Sequence, residues 1–474
     1  MQALLTPLYE LAEYSAIKKE LKKGSGTVSV TGCVDAQKWH MAYGLSDDYR
    51  FKIIATFSEL HVREILEQFR AYDRNTYVYP AKDLIFYQAD IHGNQQTKER
   101  IRVLKRLLQK KPITIVTTFD ALMAPQVPLE VYEESIIALK KGGEIDLKLL
   151  SEQLVALGYE KTHQVDNPGQ FAVRGDILDV FDLTEDNPVR VELWGDEIES
   201  IRSFDVESQR SIEELTQVQI FPAREMILSE QRKECGMAAI EAEAAKQYEL
   251  FRAEFKTEEA HRIKRQVEEL KEDLFTYQSM TNLDSYLHYF YEKTGSLLDF
   301  MAEEKSLLIL DEPVRIKEHV DAVELEFQDS MSNRLEKGYI LPGQTKLLYP
   351  AAEVAAGLAR KRVLALSMME SKCPLFPVKV HFEVEAKMVS PYNHSFETLV
   401  KDLANYRRNK YRMVLLSPSR TRARRLAENL RDNDIPAAYS EDPFSEAIVG
   451  EVLCLVGNVA RGFEYPLLHF VVIE

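Results

Sequence analysis

Two stretches of this 474-residue chain carry residue types that could handle a nucleoside triphosphate. The first is Gly32-Cys33-Val34-Asp35-Ala36-Gln37-Lys38-Trp39. A phosphate-binding loop of the form G-x-x-x-x-G-K-[ST] uses glycines so that backbone amides can wrap the phosphates, a lysine for charge and a hydroxyl for magnesium. Gly32 and Lys38 stand at that spacing, but Gln37 holds the second glycine position and Trp39 the hydroxyl position. Asp35 adds a negative charge where an anion would sit. The second stretch, Leu307-Leu308-Ile309-Leu310-Asp311-Glu312, is an apolar strand delivering two carboxylates. In a motor ATPase such a pair holds magnesium and orients the attacking water. Without a complete phosphate loop it has no triphosphate to serve, so a structural role, such as capping a turn, is expected.

A third stretch, Gly169 to Phe204, offers binding chemistry instead. Val189-Arg190-Val191-Glu192-Leu193-Trp194 alternates strictly, which puts Val189, Val191 and Leu193 on one face of a strand and Arg190, Glu192 and Trp194 on the other. Gly195-Asp196 then supplies a turn and Glu197 to Phe204 a returning strand. Arg174 lies on a preceding strand, where Gly175-Asp176 marks a bulge or a bend and leaves its facing open. Tryptophan and arginine on a solvated sheet face are the residues that carry most interface energy, although lone exposed aromatics are also common.

Two weaker signals remain. Gly457 to Pro466 (GNVARGFEYP) reads as a glycine-rich loop before a terminal strand. Arg407, Arg408, Arg412, Arg420, Arg422, Arg424, Arg425 and Arg431 form the densest basic cluster, either a phosphate-contacting surface or a solvated helix face. No Ser/His/Asp arrangement, metal-spaced histidine cluster or nicotinamide fingerprint is present, so no catalytic and no metal-binding residues are expected. His288 and His381 stand in apolar sequence and are expected in the core.

The elements that position these residues follow from hydrophobic periodicity. Residues 1–125 alternate strand and helix: strands at 27–31, 51–57, 76–79 and 113–117, with helices between them. That rhythm predicts an α/β fold with a parallel, helicase-like (RecA-type) sheet. Pro125 to Pro128 break it, and 126–210 read as a small inserted α+β domain. Residues 211–345 contain a long charged helical segment completing the first lobe. A second α/β lobe occupies 346–474, with a strand at 413–416 and a helix from Arg420 to Asn429.

Bulk composition narrows the field. A net charge of −16 argues against a mainly nucleic-acid-binding surface without excluding a local basic groove. Four scattered cysteines, Cys33, Cys235, Cys373 and Cys454, suit a reducing cytosol. No apolar run is long enough to span a bilayer, so a soluble cytoplasmic protein with no membrane partner is expected. The final segment, His469 to Glu474, reads as a buried strand, which predicts that the chain is part of a longer protein.

Together, GQFAVRGDILDVF, NPVRVELWGDEIESIRSFDVESQRS, SLLDFM with LLILDEPVRI, and GNVARGFEYP resemble, in that order, the N-terminal half of the bacterial transcription-repair coupling factors, the Mfd family. The resemblance spans most of the chain, and the second stretch is its most specific part. It implies a relic of the excision-repair protein UvrB: a split helicase-like lobe, an inserted domain that binds UvrA, and a second lobe. On that footing Arg174, Arg190 and Trp194 fall on the UvrA-contacting surface, the last usually phenylalanine in related proteins. Gly32, Gln37, Lys38, Trp39, Asp311 and Glu312 become remnants of a nucleotide site with no cofactor of its own. The resemblance places ATP and magnesium, double-stranded DNA and RNA polymerase with C-terminal translocase modules, and has a C-terminal domain mask the UvrA surface. UvrB's DNA-threading hairpin is expected to be missing, because only Asp90 to Gln95 links residues 84–89 to the next helix.

Overall fold

The computed structural model describes residues 2–82, 93–276, 283–300, 305–392, 395–442 and 444–474. Four strands, β1 (Gly26–Thr31), β2 (Phe51–Thr56), β3 (Thr76–Val78) and β4 (Ile113–Thr118), alternate with helices Asp35–Ser46, Glu59–Arg70 and Gly93–Leu108. The chain then leaves this unit through β5 (Ile137–Lys140), helix Leu147–Ala156, β6 (Glu160–Lys161), β7 (Gln170–Arg174), β8 (Ile177–Val180), β9 (Val189–Trp194), β10 (Glu197–Phe204), β11 (Ser211–Leu215) and β12 (Gln217–Ile220). Helices Glu230–Ala253 and Thr257–Phe275 follow, then β13 (Ser306–Asp311), helix Pro313–Glu336, β14 (Arg362–Leu366) and β15 (Val378–Glu383). The remainder holds β16 (Lys387–Met388), helix Phe396–Arg408, β17 (Arg412–Ser417), helix Arg420–Asp432, β18 (Ala437–Tyr439), β19 (Val452–Val456), β20 (Phe463–Tyr465) and β21 (Phe470–Ile473).

The first sheet has the order β15-β1-β14-β13-β2-β4-β3, and every pairing in it is parallel. β2, β4 and β13 are buried along their whole length, as strands covered by helices on both faces must be. The α/β expectation holds. Two domain boundaries move. β14 and β15 pair with β1, so residues 362–383 complete the first sheet instead of opening the second lobe at 346. The insertion extends past 210, because β11 pairs with β10 and β12 returns to pair with β5.

The inserted sheet runs β11-β10-β9-β8-β7-β6, and the second lobe β16-β20-β21-β17-β19-β18. Two large apolar cores divide the molecule. One joins a face of the first sheet to the insertion and the helical hairpin, through residues such as Ile53, Ile115, Leu178, Val191 and Ile240. The other joins Val30, Trp39, Ile54 and Leu364 to Val414, Phe463, Tyr465 and Phe470 of the second lobe.

Candidate functional site: a self-filled loop and an exposed sheet face

Gly32 follows β1 at φ +80°, and a Cβ there would lie 2.0 Å from the Val384 carbonyl oxygen, so only glycine fits. The loop's amides point at protein acceptors. Gly32 N–H donates to the Met368 carbonyl (3.1 Å), Cys33 N–H to the Ser367 carbonyl (3.3 Å) and Val34 N–H to Gln37 Oε1 (3.0 Å). Lys38 is buried, with Nζ 2.8 Å from Asp311 Oδ1 and 2.6 Å from Glu312 Oε1. Asp311 also accepts from Thr56 Oγ1 (2.9 Å) and meets His61 Nε2 at 3.0 Å. Burial pushes its carboxyl pKa up, but Lys38 and His61 together hold it below the usual range.

Glu312 does not cap its helix: its carboxylate reaches Lys38 and the Met368 amide (3.1 Å), and its own backbone is left-handed at φ +52°. The expected structural role is therefore ion pairing, not turn capping. Trp39, where a phosphate loop has its hydroxyl, is a core side chain at 3% exposure. The groups that a triphosphate and its magnesium would use are engaged within the protein, the ammonium with the two carboxylates and the amides with backbone carbonyls and Gln37.

Gln37 has acquired different work. Its Nε2 donates to the Tyr465 hydroxyl (3.0 Å), which lies 3.0 Å from His40 Nδ1, while His40 Nε2 is 2.8 Å from the Leu4 carbonyl. A carbonyl only accepts, so His40 carries its hydrogen on Nε2 and takes the Tyr465 hydroxyl hydrogen at Nδ1. Burial without a nearby charge lowers the His40 pKa to about 4. This chain of bonds joins the first lobe to the second. Among the described residues the buried histidine is His40; His381 is exposed and bonds Thr31 Oγ1 at 2.9 Å, and half-buried His288 meets the Lys346 carbonyl at 2.6 Å.

The loop from Gly457 to Pro466 reaches the same neighbourhood, with Arg461 Nη1 3.3 Å from Asp35. Apart from Arg412, which opens β17, the arginine cluster lies on helices that cover the opposite face of the second-lobe sheet, through Leu403, Ala427 and Leu430. Arg412 is bidentate to Glu10 (2.6 and 2.8 Å), Arg407 bonds the Asp434 carbonyl (3.1 Å), Arg420 lies 3.5 Å from Glu441, and Arg424 packs over the Tyr439 ring.

On the inserted sheet, Val191 and Leu193 face the core as their alternation requires, and Trp194 is 80% exposed on the opposite side. β7 and β8 form a two-residue hairpin in which Arg174 pairs with Ile177 and Gly175 adopts φ +60°. No residue is gained there, so Arg174 takes the same face as Arg190. Both converge on Asp179, which is 1% exposed and paired across the sheet with Arg190. Arg174 Nη2 lies 2.7 Å from Asp179 Oδ2, and Arg190 forks onto both oxygens at 2.7 and 2.8 Å. Arg190 also donates to Gln209 Oε1 (2.9 Å) and stacks 4.4 Å over the Phe204 ring.

Arg202, opposite Arg190 on β10, pairs with Glu192, which accepts from Ser200 as well (2.8 Å). Sequence reasoning missed Asp179 and Arg202, although an aspartate inside the apolar run Ile177 to Val180 was a visible signal. The face thus presents one free indole beside arginines held rigid by a buried acid, a geometry suited to desolvated contact with a partner. Among the described residues no group of three or more His, Cys, Asp or Glu is placed to hold a metal, and no helix is long and apolar enough to cross a membrane.

Comparison with known proteins gives the relatives of this chain. Residues 137–226 match the family described as UvrB interaction domain, and the leaving and returning strands β5 and β12 fall inside that range. The transcription-repair-coupling factor of Bacillus subtilis (strain 168) is 31% identical over 401 residues, 85% of this chain and 34% of that protein. Those of Staphylococcus epidermidis (strain RP62A) and Staphylococcus aureus (strain MRSA252) are each 27% identical, over 85% and 84% of this chain and 33% of their own length. The chain spans about a third of the length of the curated relatives it matches. Residues 137–226 are thus similar to a UvrB interaction domain, and 85% of the chain is similar in sequence to about a third of a transcription-repair-coupling factor.

Proposed function

We propose that this chain is the UvrA-recruiting portion of a transcription-repair coupling factor, with Arg174, Arg190 and Trp194 as its UvrA-contacting residues. The observation that carries this reading is the exposed Trp194 beside two arginines oriented by the buried Asp179. The indole supplies apolar area and the guanidinium forks supply direction, the pairing found at binding hot spots. Coupling to RNA polymerase, translocation on double-stranded DNA and ATP hydrolysis with magnesium belong, in this reading, to the part of the relatives this chain does not match. So does a C-terminal domain that covers the UvrA surface until it is needed. The protein works in the cytoplasm, where UvrA and the polymerase act.

The chain has no ATPase activity of its own in this proposal. Supporting that, Lys38 is neutralised by Asp311 and Glu312, and the amides of Gly32 and Cys33 are bonded to backbone carbonyls. The alternative, a working UvrB-like ATPase acting on damaged DNA, predicts saturable ATP–magnesium binding by calorimetry. The segment 83–92, which bears on a damage-clamping hairpin, lies outside the described residues. In a pull-down or calorimetric titration with UvrA, Arg190→Ala and Trp194→Ala are each expected to weaken binding by about 2 kcal/mol or more. Undiminished binding by the double variant overturns the assignment of this face.

A further inference from the structure

A cavity of about 610 Å³ lies where the insertion meets the helical hairpin, away from the Trp194 face. Val155, Ala156 and Leu228 form an apolar wall, and Arg224, Lys161 and Lys233 bring positive charge to it. Arg224 is the unusual member. Arg100, Arg190 and Arg412 each close an ion pair, with Glu225, Asp179 and Glu10. Arg224 is half-buried, and among the described residues its one hydrogen bond is a long contact of 3.4 Å to the Val155 carbonyl.

The surrounding backbone is shaped around this side chain. Gly158 has φ +97°, and a Cβ there would lie 2.4 Å from Arg224 Nε and 3.1 Å from its stem. The segment is pinned by Ala223 N–H donating to the Leu157 carbonyl at 2.9 Å. Burial, with no carboxylate to offset it, holds the guanidinium below arginine's ordinary pKa. The 24-residue helix Glu230–Ala253 starts at the cavity rim with Ser229 as its cap, so its positive end faces the same space. Two acids are also present: Glu230 is bonded to Lys233 (2.7 Å), and Glu152 is exposed on the insertion helix.

We propose that this cavity binds a small phosphate monoester, with Arg224 as the principal anion ligand, Lys161 and the start of the Glu230 helix as further donors, and the apolar wall against the ester's organic body. A guanidinium with unused N–H groups, an ammonium and a helix terminus offer more donors than the two oxygens of a carboxylate can use, whereas phosphate accepts at three. Bound there, the ligand bridges the insertion to the hairpin and stiffens the mount that carries the Trp194 face.

The test is calorimetric titration of the 474-residue chain with inorganic phosphate, phenyl phosphate and benzoate at constant ionic strength and pH 7.5. Saturable binding is expected for both phosphates, tighter for phenyl phosphate, and weaker by about tenfold in Arg224→Gln, because a charged hydrogen bond is lost. Lys161→Met, at an exposed position that cannot disturb the core, is expected to weaken binding severalfold and keeps the test valid should Arg224→Gln fail to fold. Absence of saturable phosphate binding, unchanged affinity in Lys161→Met together with a folded Arg224→Gln, or benzoate binding as tight as phenyl phosphate overturns the proposal.

Discussion

Asp179 shows how much one buried side chain decides. It is almost wholly buried, yet it sets where the Arg174 and Arg190 guanidiniums point. Asp179→Ala is therefore expected to weaken UvrA binding about as much as Arg190→Ala, while costing about 1–3 kcal/mol of folding stability. Parallel binding and urea-denaturation curves check both numbers, and an Asp179→Ala chain that binds normally separates the arginines' orientation from their function. His40 makes the second residue-scale case. Its pKa falls from an ordinary value near 6.5 to about 4 in the fold, so the unfolded chain binds the extra proton first. Its contribution to stability is therefore full above about pH 6.5 and declines toward pH 4. His61 and His319 shift the other way, and their contribution is already complete below pH 6.5. The acid-side decline between pH 6.5 and 4.5 should be visibly flatter in His40→Gln, read from denaturation midpoints across that range. Trp194 and Arg190 were legible in the sequence because period two assigns them a face without any knowledge of the fold. Asp179's role was not, because it depends on which strand lies beside β9.

At the scale of elements, the turn from β1 into helix Asp35–Ser46 has its amides and its lysine satisfied from within the protein. Gln37 both accepts from the Val34 amide at the helix start and donates to Tyr465 of β20. Restoring glycine there removes both bonds and adds backbone freedom, so Gln37→Gly is expected to destabilise by about 1–3 kcal/mol. It should not restore nucleotide binding, since Lys38 remains held by Asp311 and Glu312. Thermal unfolding and an ATP–magnesium titration of this variant read the two effects separately. The broken motif was readable from Gln37 and Trp39 alone. The partners of the loop amides were not, because local spacing cannot show that the Ser367 and Met368 carbonyls would come to face the loop.

For the whole molecule, the two lobes share an apolar core in which Phe463, Tyr465 and Phe470 pack with Trp39, His40 and their neighbours. Tyr465→Ala would empty a fully buried aromatic site and cut the Gln37 and His40 bonds, at an expected cost of about 3–5 kcal/mol. Hydrogen exchange should then show helix Asp35–Ser46 and strand β21 losing protection together. Loss in the second lobe alone would mean that the lobes are independent units. The sequence by itself determined the alternation that builds a parallel α/β sheet, the defect in the phosphate loop, and the exposed face of β9, because each is encoded in residues a few positions apart. Only the tertiary structure decided that β14 and β15 return to β1, that Asp179 gathers the arginines, and that Gln37 bonds a tyrosine 428 residues away. Those outcomes depend on which distant segments pack together, a choice made by the burial and hydrogen-bond satisfaction of the whole chain, and no local pattern carries it.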